Sequence, residues 1–173
     1  MSKIDFLKEQ IIEARTFVNR LMSELPEDLW YVIPEGTDSN FIWQVGHLLV
    51  SQNFHTLTAV TGVNEKVGRL VPIQKYNRIF NGMGTLHRSI EKDLIPVAEL
   101  REQTEIVHQI CIENLETLND DVAECLQPLP FKHPVAETKY EALSWSFKHE
   151  MWHSAEMEAI KRELGYPIVW MEG

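Results

Sequence analysis

Two histidines four residues apart, His149 and His153, stand in the last long apolar-periodic stretch of the chain. In an α-helix that spacing places both imidazoles on one face about one turn apart, the geometry that two ligands of one metal ion need. At about 100° per residue from His149, His153 falls near 40°, Glu156 near −20° and Trp145 near −40°, with Ala142 and Ile160 on the same line. The pair therefore lies on a core-facing stripe. Buried imidazoles without partners cost free energy, and one divalent metal satisfies two of them at once. His47 occupies the inner stripe of an earlier helix that contains no Asp, Glu, Lys or Arg. Neutral imidazoles suit zinc, nickel, copper and iron, and three of them leave coordination positions open for water or substrate. The expectation is one divalent transition metal, zinc or nickel foremost, on His47, His149 and His153, in a catalytic site rather than a closed structural one.

Other residues compete for roles around that metal. Glu156 shares the ligand stripe and is the acid/base candidate, because a carboxylate beside a metal-activated nucleophile can take its proton; the other reading is a residue that orients an imidazole. Trp43, Trp145 and Trp152 could wall a dry pocket, although aromatics at helical spacing are more often plain core. His55 is the obvious substitute ligand, but it lies about 80° around the helix from His47, which predicts a partly exposed flank position. Glu105-x-x-His108 and Glu150-x-x-His153 raise a di-iron carboxylate bundle as a rival, against which the second helix offers no Asp or Glu. Cys111 lies on an inner stripe and could ligate as a thiolate, though a buried Cys is usually a small hydrophobe.

The elements that position these residues read as all-α, since helical periodicity recurs and sustained strand alternation does not. Helix 1 is predicted from about Lys3 to Leu25, with Ser2 as N-cap and Pro26 as its stop. Helix 2 runs from about Asn40 to Thr61 and ends at Gly62. Being uncharged and apolar nearly all round, it must be buried on several sides, by its own bundle alone or by a second subunit as well. Residues 62 to 95 are too long for a structureless connection, which predicts short helices around Gln74 to Phe80 and Leu86 to Ile90 broken by Asn81-Gly-Met-Gly. The stretch from Tyr76 to Met83 is a candidate lid. Helix 3 is expected from Pro96 to about Asn119, with Asn119-Asp-Asp as a solvated end. Helix 4 opens at the capping box Thr138-Lys-Tyr-Glu141 and closes at Gly165. Four long helices with one long connection between the second and third describe a four-helix bundle with a crossover, one domain spanning residues 1–173. The apolar tail from Tyr166 could pack on the bundle or on a partner.

The chain resembles the DinB-like metalloenzymes, through Trp43-Gln-Val-Gly-His47-Leu-Leu on helix 2 and Lys148-His149-Glu-Met-Trp-His153-Ser-Ala-Glu156 on helix 4, together with the long second connection. Relatives often carry Gly-Gln after the last ligand, where this chain has Ala155-Glu156. The resemblance implies an up-down-down-up bundle, often a homodimer, that holds a divalent metal by one His of the second helix and the His-x3-His of the fourth. It also implies relatives similar to transferases or isomerases that use a low-molecular-weight thiol.

Composition narrows the partners. With 16 Lys and Arg against 26 Asp and Glu, the formal net charge is −10, so a phosphate backbone is repelled on average and nucleic acid is not expected. No apolar run is long enough for a membrane span or a secretory signal. Two Cys, Cys111 and Cys125, are too few for a disulfide framework and suit a reducing, cytoplasmic setting. Two functions remain. One is a metal-dependent enzyme, a hydrolase or a thiol-dependent transferase or isomerase, acting on a small molecule. The other is a non-catalytic binding or structural bundle whose metal is a staple or is absent.

Overall fold

The computed structural model describes residues 2–81, 88–92, 94–118, 126–129 and 132–168. Among them the chain is all-helical, without a strand; two isolated bridges, Ser39 with Arg88 and Pro128 with Thr138, are the only extended pairings. The first helix, α1, spans Lys3–Glu24. Ser2 caps it through a reciprocal pair in which its hydroxyl accepts from the Asp5 N–H and Asp5 accepts from the Ser2 N–H. Its three-and-four spacing buries Ile4, Leu7, Ile11, Ala14, Val18 and Leu21, as the periodicity predicts. After Pro26 a 3₁₀ turn at Glu27–Leu29 brings Trp30 into the core, where its indole N–H donates to the Leu25 carbonyl at 3.1 Å.

The predicted second helix forms in three pieces. The α-helix α2 (Phe41–Gln52) is capped by the Asn40 side chain, which accepts from Trp43 N–H. A π-helical stretch follows at Asn53–Thr58, and a last α turn, α3, covers Ala59–Thr61 before Gly62 stops the helix at φ +96°. Every residue of α2 except His47 is buried by the chain itself, so its uncharged character needs no second subunit.

Among the described residues between Gly62 and Pro96 there are two short helices, α4 (Glu65–Leu70) and α5 (Ile73–Phe80). The first was not expected; the second matches the helix predicted from Gln74. The helix predicted over Leu86 to Ile90 is not present at Arg88, Ser89 and Ile90, which run extended. The physical reason is tertiary: Ser39 donates to the Arg88 carbonyl at 2.5 Å and the Asn40 amide donates to the Ile90 carbonyl at 2.8 Å. Those carbonyls are thus spent on the cap of α2 instead of on a helical ladder. Residues 82–87, which hold the Gly-Met-Gly break, the end of the candidate lid and His87, lie outside the described residues, as do Asn119-Asp-Asp, Cys125 and the tail from residue 169 onward.

The third long helix, α6, spans Val97–Glu116 behind Pro96, and α7 spans Lys139–Glu163 behind the Thr138–Glu141 capping box. The end of α7 matches expectation, with Gly165 at φ +87°. Helix α7 packs on α1 and α2, α6 packs on α2, α1 and α4, and α5 lies on α2. The helix that carries His47 thus touches the one that carries His149 and His153. A larger core gathers around α2, and a smaller one joins the start of α1 to Leu115, Ala142 and Leu143.

Candidate metal centre

Three imidazoles from two helices converge beside a cavity. The ligand nitrogens of His47, His149 and His153 all lie within 4.8 Å of one another, a grouping that can hold one metal ion. The Nε2 atoms of His47 and His149 are 3.4 Å apart. Two nitrogens bound at about 2.0–2.1 Å to one tetrahedral ion would be about 3.3 Å apart, so little movement separates this geometry from a ligated one.

Hydrogen bonds on the far side of the rings decide which nitrogens face the common point. His47 Nδ1 lies 2.7 Å from the Phe80 carbonyl, which can only accept, so Nδ1 carries the proton and Nε2 keeps its lone pair. His153 Nδ1 lies 2.6 Å from Gln44 Oε1. The Gln44 amide nitrogen donates in turn to Ser39 Oγ at 2.9 Å and to Glu156 Oε2 at 2.8 Å, which identifies Oε1 as the acceptor and leaves His153 Nε2 free. Outer partners of this kind orient ligating histidines in metal sites generally. Stacking adds to the restraint: the Trp43 and His47 rings lie 4.8 Å apart and nearly parallel, with the Arg88 guanidinium 5.3 Å from the Trp43 ring centroid.

Burial and mutual repulsion keep the His47 and His149 rings neutral, the state in which imidazole ligates. Burial first, then the neighbouring His153, lower His47 to about 4. The same causes, with His47 and His55 contributing, lower His149 to about 2.

Glu156 stands on the outer side of His153, its Oε2 being 3.4 Å from His153 Nδ1, and it is ion-paired with Arg88. Burial pushes its carboxyl up, but His153 and Arg88 outweigh that and hold it at about 2. Arg88 also approaches Asp38 at 3.6 Å.

The cavity beside the cluster has a volume of about 680 Å³, within the range of small-molecule sites. Trp43, Trp145 and Trp152 all border it, so none is only core packing; Trp152 is 60% exposed at its edge. His55 is not the exposed flank residue that the α-helical angle predicts. It is buried, with its ring 5.4 Å from that of His149, and borders the same cavity. The π-helical turn explains the difference: wider winding advances less than 100° per residue, which brings His55 round toward the His47 side. It does not join the metal grouping. Its Nδ1 instead meets His133 Nε2 at 2.8 Å, and burial followed by the His133 charge lowers it to about 3.

The carboxylate-bundle rival finds no support. Glu105 is exposed, and Glu150 is buried with its Oε1 2.7 Å from Arg15 Nε. His108 receives a hydrogen bond from the Gln52 amide at 3.1 Å, and Gln52 Oε1 accepts from Arg15. Cys111 is a free, fully buried thiol whose hydrogen bond is to the Gln52 carbonyl, and burial pushes its pKa up; it is no ligand.

The three histidines that the helical spacing points to lie together, while Gln44, Arg88 and His133 are neighbours of the site that the spacing does not indicate. Gln44 carried a usable signal, since a buried amide on an uncharged helix must find partners. Arg88 carried none, lying where the chain has no period.

No curated protein matches the chain. A family model described as the DinB superfamily matches residues 10–157, from α1 to just past the last of the three histidines, and the chain belongs to that superfamily.

Proposed function

We propose that the protein is a metal-dependent enzyme acting on a small molecule, by hydrolysis or by thiol-dependent transfer or isomerisation, on an up-down-down-up four-helix scaffold. The observation that carries this reading is the convergence of three imidazoles beside a cavity large enough for a substrate. The donor set fits a divalent ion, zinc or nickel foremost, with His47, His149 and His153 as ligands. Such an ion supplies Lewis acidity, which polarises an oxygen or sulfur group and makes it reactive near neutral pH.

The chain's own residues do the rest. Phe80 and Gln44 hold His47 and His153 in the tautomers whose Nε2 lone pairs face inward. Trp43 and Trp145 exclude water from the rings they touch, and the Ser51 hydroxyl, 3.3 Å from His47 Nε2, stands where it can meet a substrate atom. Of the two roles open to Glu156, positioning is the better supported. A carboxylate held at about 2 by Arg88 and His153 is a weak proton acceptor at neutral pH, whereas its bond from Gln44 steadies the amide that orients His153.

Elemental analysis after chelator-free purification tests the proposal and should find about one zinc or nickel per chain. His153→Ala should abolish that binding with little change in helix content, because core burial supplies most of the stability at this size. Protein that stays metal-free when offered zinc and nickel sinks the reading. A screen of thiol-dependent reactions on the loaded protein then separates transfer and isomerisation from hydrolysis.

A further inference from the structure

The pair His55–His133 is not explained by the metal centre, yet it is built with a fixed polarity. The Val135 backbone N–H donates to His133 Nδ1 at 3.2 Å. A backbone amide can only donate, so His133 Nδ1 has the lone pair and the proton of this neutral ring is on Nε2. His133 Nε2 lies 2.8 Å from His55 Nδ1 and donates to it. His55 Nδ1 is thereby the acceptor, and the proton of His55 is on Nε2. Among the described residues the His55 side chain's one hydrogen bond is that to His133, and its Nε2 is not one of the fully enclosed unpaired atoms, although the residue is only 7% exposed. The ring borders the cavity beside His149. A donor with a preset direction and no partner, in a buried ring at a cavity wall, is a group waiting for an acceptor.

The surrounding wall indicates what carries the acceptor. Phe54, Trp145, Trp152 and Val135 line the same cavity, and Phe54 stacks on His133 with ring centroids 5.4 Å apart. We propose that His55 Nε2–H is the substrate-orienting donor of this cavity, taking the carbonyl or carboxylate oxygen of a molecule whose body is apolar. As a substrate contact it rests on the reading of the cavity given above; as a hydrogen-bond donor it does not. The π-helical turn at Asn53–Thr58 is then the feature that delivers His55 to the site, since a continuous α-helix would carry it to the flank.

Benzoate is a suitable probe, because it joins one carboxylate to one apolar ring. Histidine-ring nitrogen NMR on the metal-free protein should show His55 and His133 protonated at Nε2 and not at Nδ1, with the His55 signal moving as benzoate is added. His55→Phe should weaken benzoate about three- to tenfold, the worth of one hydrogen bond. His133→Leu leaves His55 in place but removes the group that sets its polarity, and should weaken benzoate in the same direction while the His55 signal becomes a mixture of tautomers. An Nδ1–H tautomer for His55 in the wild-type protein, no benzoate binding by that protein at millimolar concentration, or unchanged affinity in both variants would each overturn the proposal. Titrating zinc in parallel keeps the two readings apart: a His55-dependent benzoate site in protein that binds no zinc defeats the metalloenzyme and leaves the donor standing.

Discussion

Gln44 is the residue on which the candidate centre turns, although it touches no metal in any reading of the site. It accepts from His153 Nδ1 through one atom and donates to Ser39 and Glu156 through the other, so a single fully buried side chain fixes a ligand's tautomer and ties it to the α2 cap. Substituting Gln44→Leu keeps the size and apolar fit while removing every one of these bonds. His153 is then free to protonate at Nε2, the nitrogen that has to bind. Losses of such outer partners typically cost about 10–100-fold in metal affinity, and that is the expected fall in zinc affinity for Gln44→Leu, measured by competition with a chromophoric chelator. Zinc affinity at the wild-type level would show that the three histidines are held by packing alone.

At the scale of elements, the short helix α5 serves α2. Its last residue, Phe80, gives its carbonyl to His47, and its ring lies where a Cβ on Gly46 would be, so the two helices meet only because position 46 has no side chain. Two effects compete in Gly46→Ala. Removing a helix-interior glycine stabilises by about 1 kcal/mol, while forcing a methyl into a packed ring costs about 1–3 kcal/mol. Because the overlap is with an aromatic ring wedged at 0% exposure, the steric cost should win. We expect a lower urea midpoint and weaker zinc binding together; a more stable protein with unchanged zinc affinity would show that α5 moves aside freely. The same pair marks the limit of what can be read before folding. Periodicity placed the long helices and rotated the three histidines onto facing stripes, because apolar spacing and rotation are properties of one segment. Whether Gly46 admits Phe80 and whether Ser39 and Asn40 capture the carbonyls of Arg88 and Ile90 both depend on a second segment. No window of sequence contains those partners.

Across the whole molecule, buried polar groups link α1, α2, α6 and α7. Arg15 of α1, Gln52 of α2, His108 of α6 and Glu150 of α7 form one chain of contacts inside the core. His108 there, like His55, is held neutral by burial, each lowered from 6.5 to about 3. Their folded pKa values lie below the unfolded ones, so the unfolded chain binds more protons between about pH 6.5 and 3. Stability is full above that window and falls through it, by about 1.4 kcal/mol per pH unit for each such group. The urea midpoint of metal-free protein should accordingly drop from pH 7 to pH 5, and an equal or higher midpoint at pH 5 would contradict the assignment. Arg15 and Glu150 pose a different question, because two charges at 1% and 2% exposure attract strongly but have each lost their water. Removing one partner should cost more than the pair contributes. Arg15→Met strands the Glu150 carboxylate in the core and should destabilise by about 3–5 kcal/mol, while Arg15→Met with Glu150→Leu should recover most of that loss. Zinc content should stay at the wild-type level in the double variant, because Glu150 is spoken for by Arg15 and ligates nothing. Metal lost from a well-folded double variant would reinstate Glu150 as a ligand and with it the carboxylate site; a double variant no more stable than Arg15→Met would mean the pair sets the register in which the four helices meet.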